Sequence, residues 1–127
     1  HATVTEDITL AFLESIAFSL ADGLDALLAK NSKPERLILI GGGSRSDFLA
    51  KLIASILNIT IVGCRSSEYA VSIGSARLAR LAAKNESPSD VIATLPVTKV
   101  FEPDKVLNAQ YAEKILEFRL LYGQLRN

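Results

Sequence analysis

Cysteine and histidine occur once each in this chain, as Cys64 and His1, and tryptophan and methionine do not occur in its 127 residues. A lone cysteine excludes an internal disulfide and fits a reducing compartment, so a cytoplasmic location is expected. A lone histidine excludes a His-based triad or zinc site within the chain, and its place at position 1 suits the scar of an expression tag. Aromatic residues make up only 6%, which leaves the core to aliphatic side chains and alanine. Neither charge sign is in excess, with 14 Lys and Arg against 14 Asp and Glu. A general polyanion binder carries a basic surplus, so nucleic acid is not an expected partner. No apolar run approaches the roughly 20 residues of a membrane span. No signal peptide is visible, so a membrane is not an expected partner either. Internal repeats, low-complexity tracts and a clear domain boundary are also missing.

What is present is an apolar content of 49%, too high for disorder, in a chain long enough for one compact domain with a real core. Residues 3–29 read as a long amphipathic helix opened by a Thr3/Glu6 capping box. Ile8, Phe12, Ile16, Leu20 and Leu24 recur every fourth residue, and Leu13, Ala17, Leu27 and Leu28 widen the apolar face. Gly23 inside this pattern suggests close packing. Asn31-Ser32-Lys33-Pro34 ends the helix. Leu37–Ile40 is a short apolar run that fits a buried parallel strand. Residues 45–57 form a second helix with Phe48, Leu49, Leu52, Ile53, Ile56 and Leu57 inward, stopped at Asn58. Ile59–Val62 is β-branched and reads as a second strand. This alternation is that of an α/β layer.

A third helix opens at Ser66-Ser67 and runs to about Ala83. Its small residues from Ala70 to Ala76 suggest close packing on neighbouring elements, a role Gly74 can combine with ligand contact. Ser87-Pro88-Ser89-Asp90 starts a short helix, with Ser87 as cap and Pro88 at the first position, closed by Pro96. Residues 97–105 read as an extended connector. A last helix, 106–125, carries Tyr111, Ile115, Phe118, Tyr122 and Leu125 on one face. Lys105, Glu113, Lys114, Glu117 and Arg119 read as a solvated face.

The chemistry concentrates where the first strand meets the second helix, at Gly41-Gly42-Gly43-Ser44-Arg45-Ser46-Asp47. Glycine lacks a Cβ, so the chain turns sharply there and a ligand can lie against the peptide plane. Ser44 with Asp47 three residues on resembles a capping box. A helix start offers free N–H groups and a partial positive charge to an anionic group. Three interpretations fit: a purely structural turn, a dinucleotide fingerprint with Ser46 in place of the last glycine and Arg65 toward a 2′-phosphate, or a nucleotide site of another kind. A Walker A loop is excluded, because no Gly-Lys-Ser/Thr occurs.

Leu37-Ile38-Leu39-Ile40-Gly41-Gly42-Gly43-Ser44-Arg45-Ser46 resembles the hydrophobic-Gly-Gly-Gly-Ala/Ser-Arg-Ser segment of the FGGY carbohydrate kinases. Upstream, Phe12-Leu13-Glu14-Ser15-Ile16-Ala17-Phe18 is similar to that family's Leu-Glu-Gly/Ser-Ile/Val-Ala-Phe helix. Downstream, Ile73-Gly74-Ser75-Ala76-Arg77-Leu78-Ala79 is similar to its Leu-Gly-Ala-Ala-x-Leu-Ala segment. Pro103, Tyr111 and Phe118-Arg119-Leu120-Leu121-Tyr122 resemble the end of the xylulose kinase branch. The blocks are in order and cover nearly the whole chain. Two departures stand out: Tyr69 occupies a position often acidic in the family, with Glu68 one residue earlier, and Ser75 replaces the usual alanine.

The resemblance implies an α/β fold, the C-terminal portion of an actin-like (ribonuclease H-like) ATPase domain, helix-rich with a short parallel sheet and occupying residues 1–127 as a single segment. It implies transfer of the γ-phosphate of ATP to a sugar hydroxyl with Mg²⁺ assisting, the xylulose kinase branch pointing to D-xylulose and xylulose 5-phosphate. The N-terminal sugar-binding domain, the catalytic aspartate and the metal ligands are expected before residue 1. No catalytic or metal-binding residue is therefore assigned here. Asp47 and Asp90 read as helix-start residues, and Asp22, Asp25 and Asp104 as solvated. The implied nucleotide contacts are Gly42, through its backbone, Gly41 and Gly43, which permit the approach, and Ser46, through its hydroxyl. Ser44 either contacts ligand or caps the helix. Arg45 lies near phosphate or faces solvent, and Ala70–Ala76 back the adenine. The partners expected are an adenine nucleotide and, through the other domain, a sugar; the oligomeric state stays open, with a homodimer among the alternatives. The rival from another class is a non-catalytic, helix-rich interaction or scaffold domain whose glycines serve only the turn.

Overall fold

The computed structural model describes residues 3–28 and 33–125. His1 and the helix-end signal at Asn31-Ser32 lie outside the described residues, as does position 29. Five α-helices and three strands follow one another as α1 (Thr5–Leu28), β1 (Arg36–Ile38), α2 (Asp47–Leu57), β2 (Thr60–Cys64), α3 (Ala70–Lys84), α4 (Pro88–Val91), β3 (Val97–Phe101) and α5 (Lys105–Leu125). Short 3₁₀ turns at Gly42–Arg45 and Ser67–Tyr69 precede α2 and α3. The sheet order is β1-β2-β3, with β2 in the centre. β1 pairs parallel to β2, Leu37 opposite Ile61. β3 pairs antiparallel to β2, Val100 opposite Val62, with an irregularity at Gly63/Cys64. The expected connector 97–105 is thus largely a strand, and the sheet is mixed rather than parallel. The run Val97-Thr98-Lys99-Val100-Phe101 alternates weakly and is exposed except at Phe101, which hides its strand character in the sequence.

α2 is the hub. Leu49, Ala50, Leu52, Ile53, Ala54 and Ser55 are all buried on it, joined by Ala17 and Phe18 of α1, Ile61 of β2 and Tyr111 of α5. Phe18 meets the Tyr111 ring edge-on at 6.0 Å and the Phe118 ring at 5.4 Å, a geometry that suits the ring quadrupoles. Asn58 stops α2 in the left-handed region, its N–H on the Ala54 carbonyl. Ser55, fully buried, is satisfied three ways: its hydroxyl donates to the Lys51 carbonyl and accepts from the Asp104 N–H, and its carbonyl accepts from Asn108 Nδ2. Asp104 is not simply solvated. Its carboxylate caps α5, accepting from the Val106 and Leu107 N–H groups.

Several sequence expectations change on contact with the fold. On α1 the covered stripe is Ala17, Phe18 and Ala21, while Ile8, Phe12 and Leu20 stay exposed. The helix start shifts by one, with the Asp7 carboxylate accepting from the Val4 N–H. β1 is covered on one face only: Leu37 and Leu39 are half-buried, whereas Ile38 and Ile40 are exposed. Phe48 points outward. A Cβ built at Gly23 or Gly74 meets nothing within 4 Å, and no residue of α3 is buried, so neither glycine marks close packing. At α4 the Ser87 hydroxyl turns to Ser89 instead of capping. Arg119 is not a free solvated charge; it bridges Asp22 and Asp25, both at 2.6 Å. Its hydrogen bonds to Asp22 and then to Asp25 hold the guanidinium still more firmly protonated. Lys114 likewise pairs with Glu14.

Candidate functional site

The parallel strands β1 and β2 end side by side, and the crevice outside their carboxyl ends is where such sheets bind ligands. β1 delivers the glycine segment to that crevice. The Leu39 N–H donates to the Val62 carbonyl at 3.1 Å, one step beyond the strand proper. Gly41 then takes φ 80°, ψ −168°, a region essentially closed to side-chain-bearing residues. Its N–H donates to the Ser67 carbonyl at 3.0 Å, which ties the exit of β1 to the exit of β2. The turn closes on itself: the Ser44 N–H and hydroxyl both donate to the Gly41 carbonyl, at 3.1 and 2.7 Å, and the Ser46 N–H donates to the Gly43 carbonyl at 3.1 Å. Ser46 is the N-cap of α2, its hydroxyl oxygen accepting from the Leu49 N–H at 3.2 Å.

The helix cap expected of Ser44 therefore falls to Ser46. Ser44 locks the turn and Ser46 caps the helix, because a 3₁₀ turn intervenes and α2 begins only at Asp47. Ser46 still has a hydroxyl hydrogen to donate, since capping uses only a lone pair. The glycines divide as sharply. Gly41 is dictated by its φ. A Cβ at Gly43 would stand 3.3 Å from Leu49 Cδ2, so internal packing favours its small size. Gly42 has no such reason. Its φ is not positive, a Cβ would meet nothing within 4 Å, and the residue is exposed. The Gly42 and Gly43 N–H groups have no acceptor among the described residues, and they sit beside the positive end of α2.

Across the crevice, β2 exits through Arg65, Ser66 and Ser67. Ser66 holds the left-handed conformation at φ 59°, ψ 27°, uncommon for a residue other than glycine. The Arg65 N–H donates to the Pro96 carbonyl at 2.9 Å. Ser67, buried with only 4% of its surface exposed, supplies the carbonyl that anchors Gly41. Sequence reading missed this anchor, for a Ser-Ser pair gives no sign that the first will be left-handed. Arg45 and Arg65 are exposed and have no carboxylate partner among the described residues. The turn offers main-chain donors and one hydroxyl to an electronegative ligand, and both arginines adjoin it or the facing strand exit in the chain. The larger grooves are not lined by Gly41–Ser46. One, of about 470 Å³, lies between α2, β3 and α5, a second, of about 410 Å³, between the start of α1 and Phe48, and a third, of about 350 Å³, between α1 and β1.

Residues 1–83 match the C-terminal domain of the FGGY family of carbohydrate kinases. The chain is 33% identical to the xylulose kinase of Escherichia coli strain K12 over 126 residues, 98% of this chain and 26% of that protein. It is 37% identical to a glycerol kinase of a Janthinobacterium species over 98 residues, 76% of this chain and 20% of that protein. Among solved structures, a xylulose kinase from Brucella ovis superposes with a TM-score of 0.80 at 30% identity, over 99% of this chain and 26% of the other. The described architecture is thus that of the C-terminal domain in this actin-like fold, and the chain spans about a quarter of the length of such relatives.

Proposed function

Since the chain belongs to the FGGY carbohydrate kinases, as a C-terminal domain, we propose that it forms the adenosine-binding part of an enzyme that transfers the γ-phosphate of ATP to D-xylulose. Gly42 carries this proposal. A residue with ordinary backbone angles and empty space where its Cβ would be gains nothing internal from being glycine. A ribose or phosphate lying against its peptide plane explains the choice. Gly41 makes the bend, Gly43 packs on Leu49, and the free Gly42 and Gly43 amides donate to the nucleotide. Ser46 donates its hydroxyl hydrogen, Ser44 keeps the turn closed, and Arg45 and Arg65 offset phosphate charge. Phosphoryl transfer is governed by positioning and charge stabilisation, and this chain supplies the first of these for the nucleotide. Mg²⁺ would supply neutralisation of phosphate charge; among the described residues no group of three or more His, Cys, Asp or Glu could hold it, so its ligands, like the base for the sugar, are expected on the rest of the enzyme. Among curated relatives the xylulose kinases predominate over nearly the full chain, which supports D-xylulose as acceptor; glycerol kinases are similar over the same region.

The test is a titration of a non-hydrolysable ATP analogue into wild-type chain and into Gly42→Val, followed by amide spectra. Wild type is expected to bind, and Gly42→Val, folded, is expected to lose affinity at least tenfold, a cost of about 1.4 kcal/mol. Equal affinity in a folded Gly42→Val would reject the assignment. So would amide resonances at Gly41–Ser46 that the analogue leaves unmoved.

A further inference from the structure

The last part of the chain, beyond the residues 1–83 that define the family domain, grips α2 at both ends. At the far end Ser55 is pinned by Asp104 and Asn108. At the near end Lys99 of β3 reaches Asp47, its Nζ lying 2.6 and 2.9 Å from the two carboxylate oxygens. Asp47 is the first residue of α2 and directly follows Ser46. The other hydrogen bonds of the turn among the described residues run within it and to the first turn of α2, apart from the backbone bond to Ser67. Lys99 is opposite Gly63 near the carboxyl end of β2, so it stands at the crevice end of the sheet. The contact therefore joins a distant element to the point where the glycine turn becomes a helix.

We propose that Lys99 is a positioning residue for the nucleotide turn: through Asp47 it fixes the start of α2, and with it the direction in which Gly42 and Gly43 present their amides. The functional half of this rests on the nucleotide proposal above. Both side chains are more than half exposed, at 54% and 58%, and an exposed pair adds little to global stability. Its effect is local and has two parts. It restrains the helix start geometrically, and it neutralises a carboxylate that otherwise repels an approaching phosphate.

The experiment compares wild type, Lys99→Met and Lys99→Arg by amide hydrogen exchange, thermal melting and titration with ATP. In Lys99→Met the Ser44, Ser46 and Leu49 amides are expected to exchange roughly threefold to fivefold faster, the most an exposed ion pair supplies. The Ile53 and Ala54 amides and the melting temperature should not move, and Lys99→Arg should behave as wild type. Unchanged rates at the three turn amides overturn the proposal. So does a uniform acceleration along α2 with a lowered melting temperature, which makes the pair a general stabiliser. ATP should bind about threefold to fivefold more weakly to Lys99→Met and normally to Lys99→Arg. Normal ATP affinity in a Lys99→Met with a loosened turn overturns the functional half. Wild-type chain that binds no ATP overturns the nucleotide proposal instead, and the exchange rates then decide the clamp by themselves.

Discussion

At Gly41 the backbone sits at φ 80°, ψ −168°, and at Gly42 it does not leave the ordinary region. Alanine at Gly41 is expected to cost about 1–3 kcal/mol through backbone strain. Alanine at Gly42 is expected to be neutral or to stabilise by about 0.4–1 kcal/mol, since it only restricts the unfolded chain. Denaturant melts of the two variants check both, and a large loss of stability in Gly42→Ala would hand Gly42 back to turn chemistry. A second residue titrates out of range. Burial first, then the hydrogen bond to Glu14 and its charge, push the Tyr111 hydroxyl up to about 12. The folded value lies above the unfolded one, so the stability this contributes is fully present below pH 10 and is lost as the pH rises through about 12. A spectrophotometric titration should show a tyrosine ionisation near pH 12, and Tyr111→Phe should remove that step. The bend at Gly41–Gly43 was legible as a strand-to-helix turn, because three glycines stand between an apolar run and a helix start. Ser67 was not, because its part is played by a main-chain carbonyl and leaves no mark on residue type.

Helices were legible where period and stop signal agreed, as in α2 with Asn58 after it, although its cap is Ser46 and not the Ser44 that the sequence offered. Their facing was less so. α1 carries apolar residues over more than one stripe, and periodicity ranks the Ile8-Phe12-Leu20 row as highly as the Ala17-Phe18-Ala21 stripe that α2 and α5 cover. Small alanines let α1 come close enough for Phe18 to reach Tyr111 and Phe118. β3 was missed because exposed edge strands carry little burial pattern. Two predictions belong to this scale. Ser55→Ala removes the acceptor of the Asp104 N–H and should cost about 1–3 kcal/mol, loosening the start of α5 in hydrogen exchange. Arg119→Ala breaks both ion pairs to α1, yet these are exposed, so the loss should stay near 1 kcal/mol or less. A loss several times larger in the melt would show that α5 depends on them for docking.

In the molecule as a whole, α2 is surrounded while the outer faces of α1, β1, α3 and α5 keep large apolar side chains exposed, among them Phe12, Ile38, Leu78 and Leu120. The helix–strand alternation made the α/β class legible, and the ordered family-like blocks made the domain legible. The sugar and the base were not legible, because the blocks that carry the family resemblance are ones it assigns to the nucleotide side. The chain alone, given ATP, Mg²⁺ and D-xylulose, should therefore release no ADP in a coupled assay. What it should do is hold the nucleotide through main chain at the glycine turn. The most direct measurement of that is an amide-resolved titration with a non-hydrolysable ATP analogue. The Gly42 and Gly43 resonances should shift first and furthest, with Ser46 and Ser67 following. Shifts confined to the groove between α1 and β1, with the glycine amides unmoved at saturation, would contradict it.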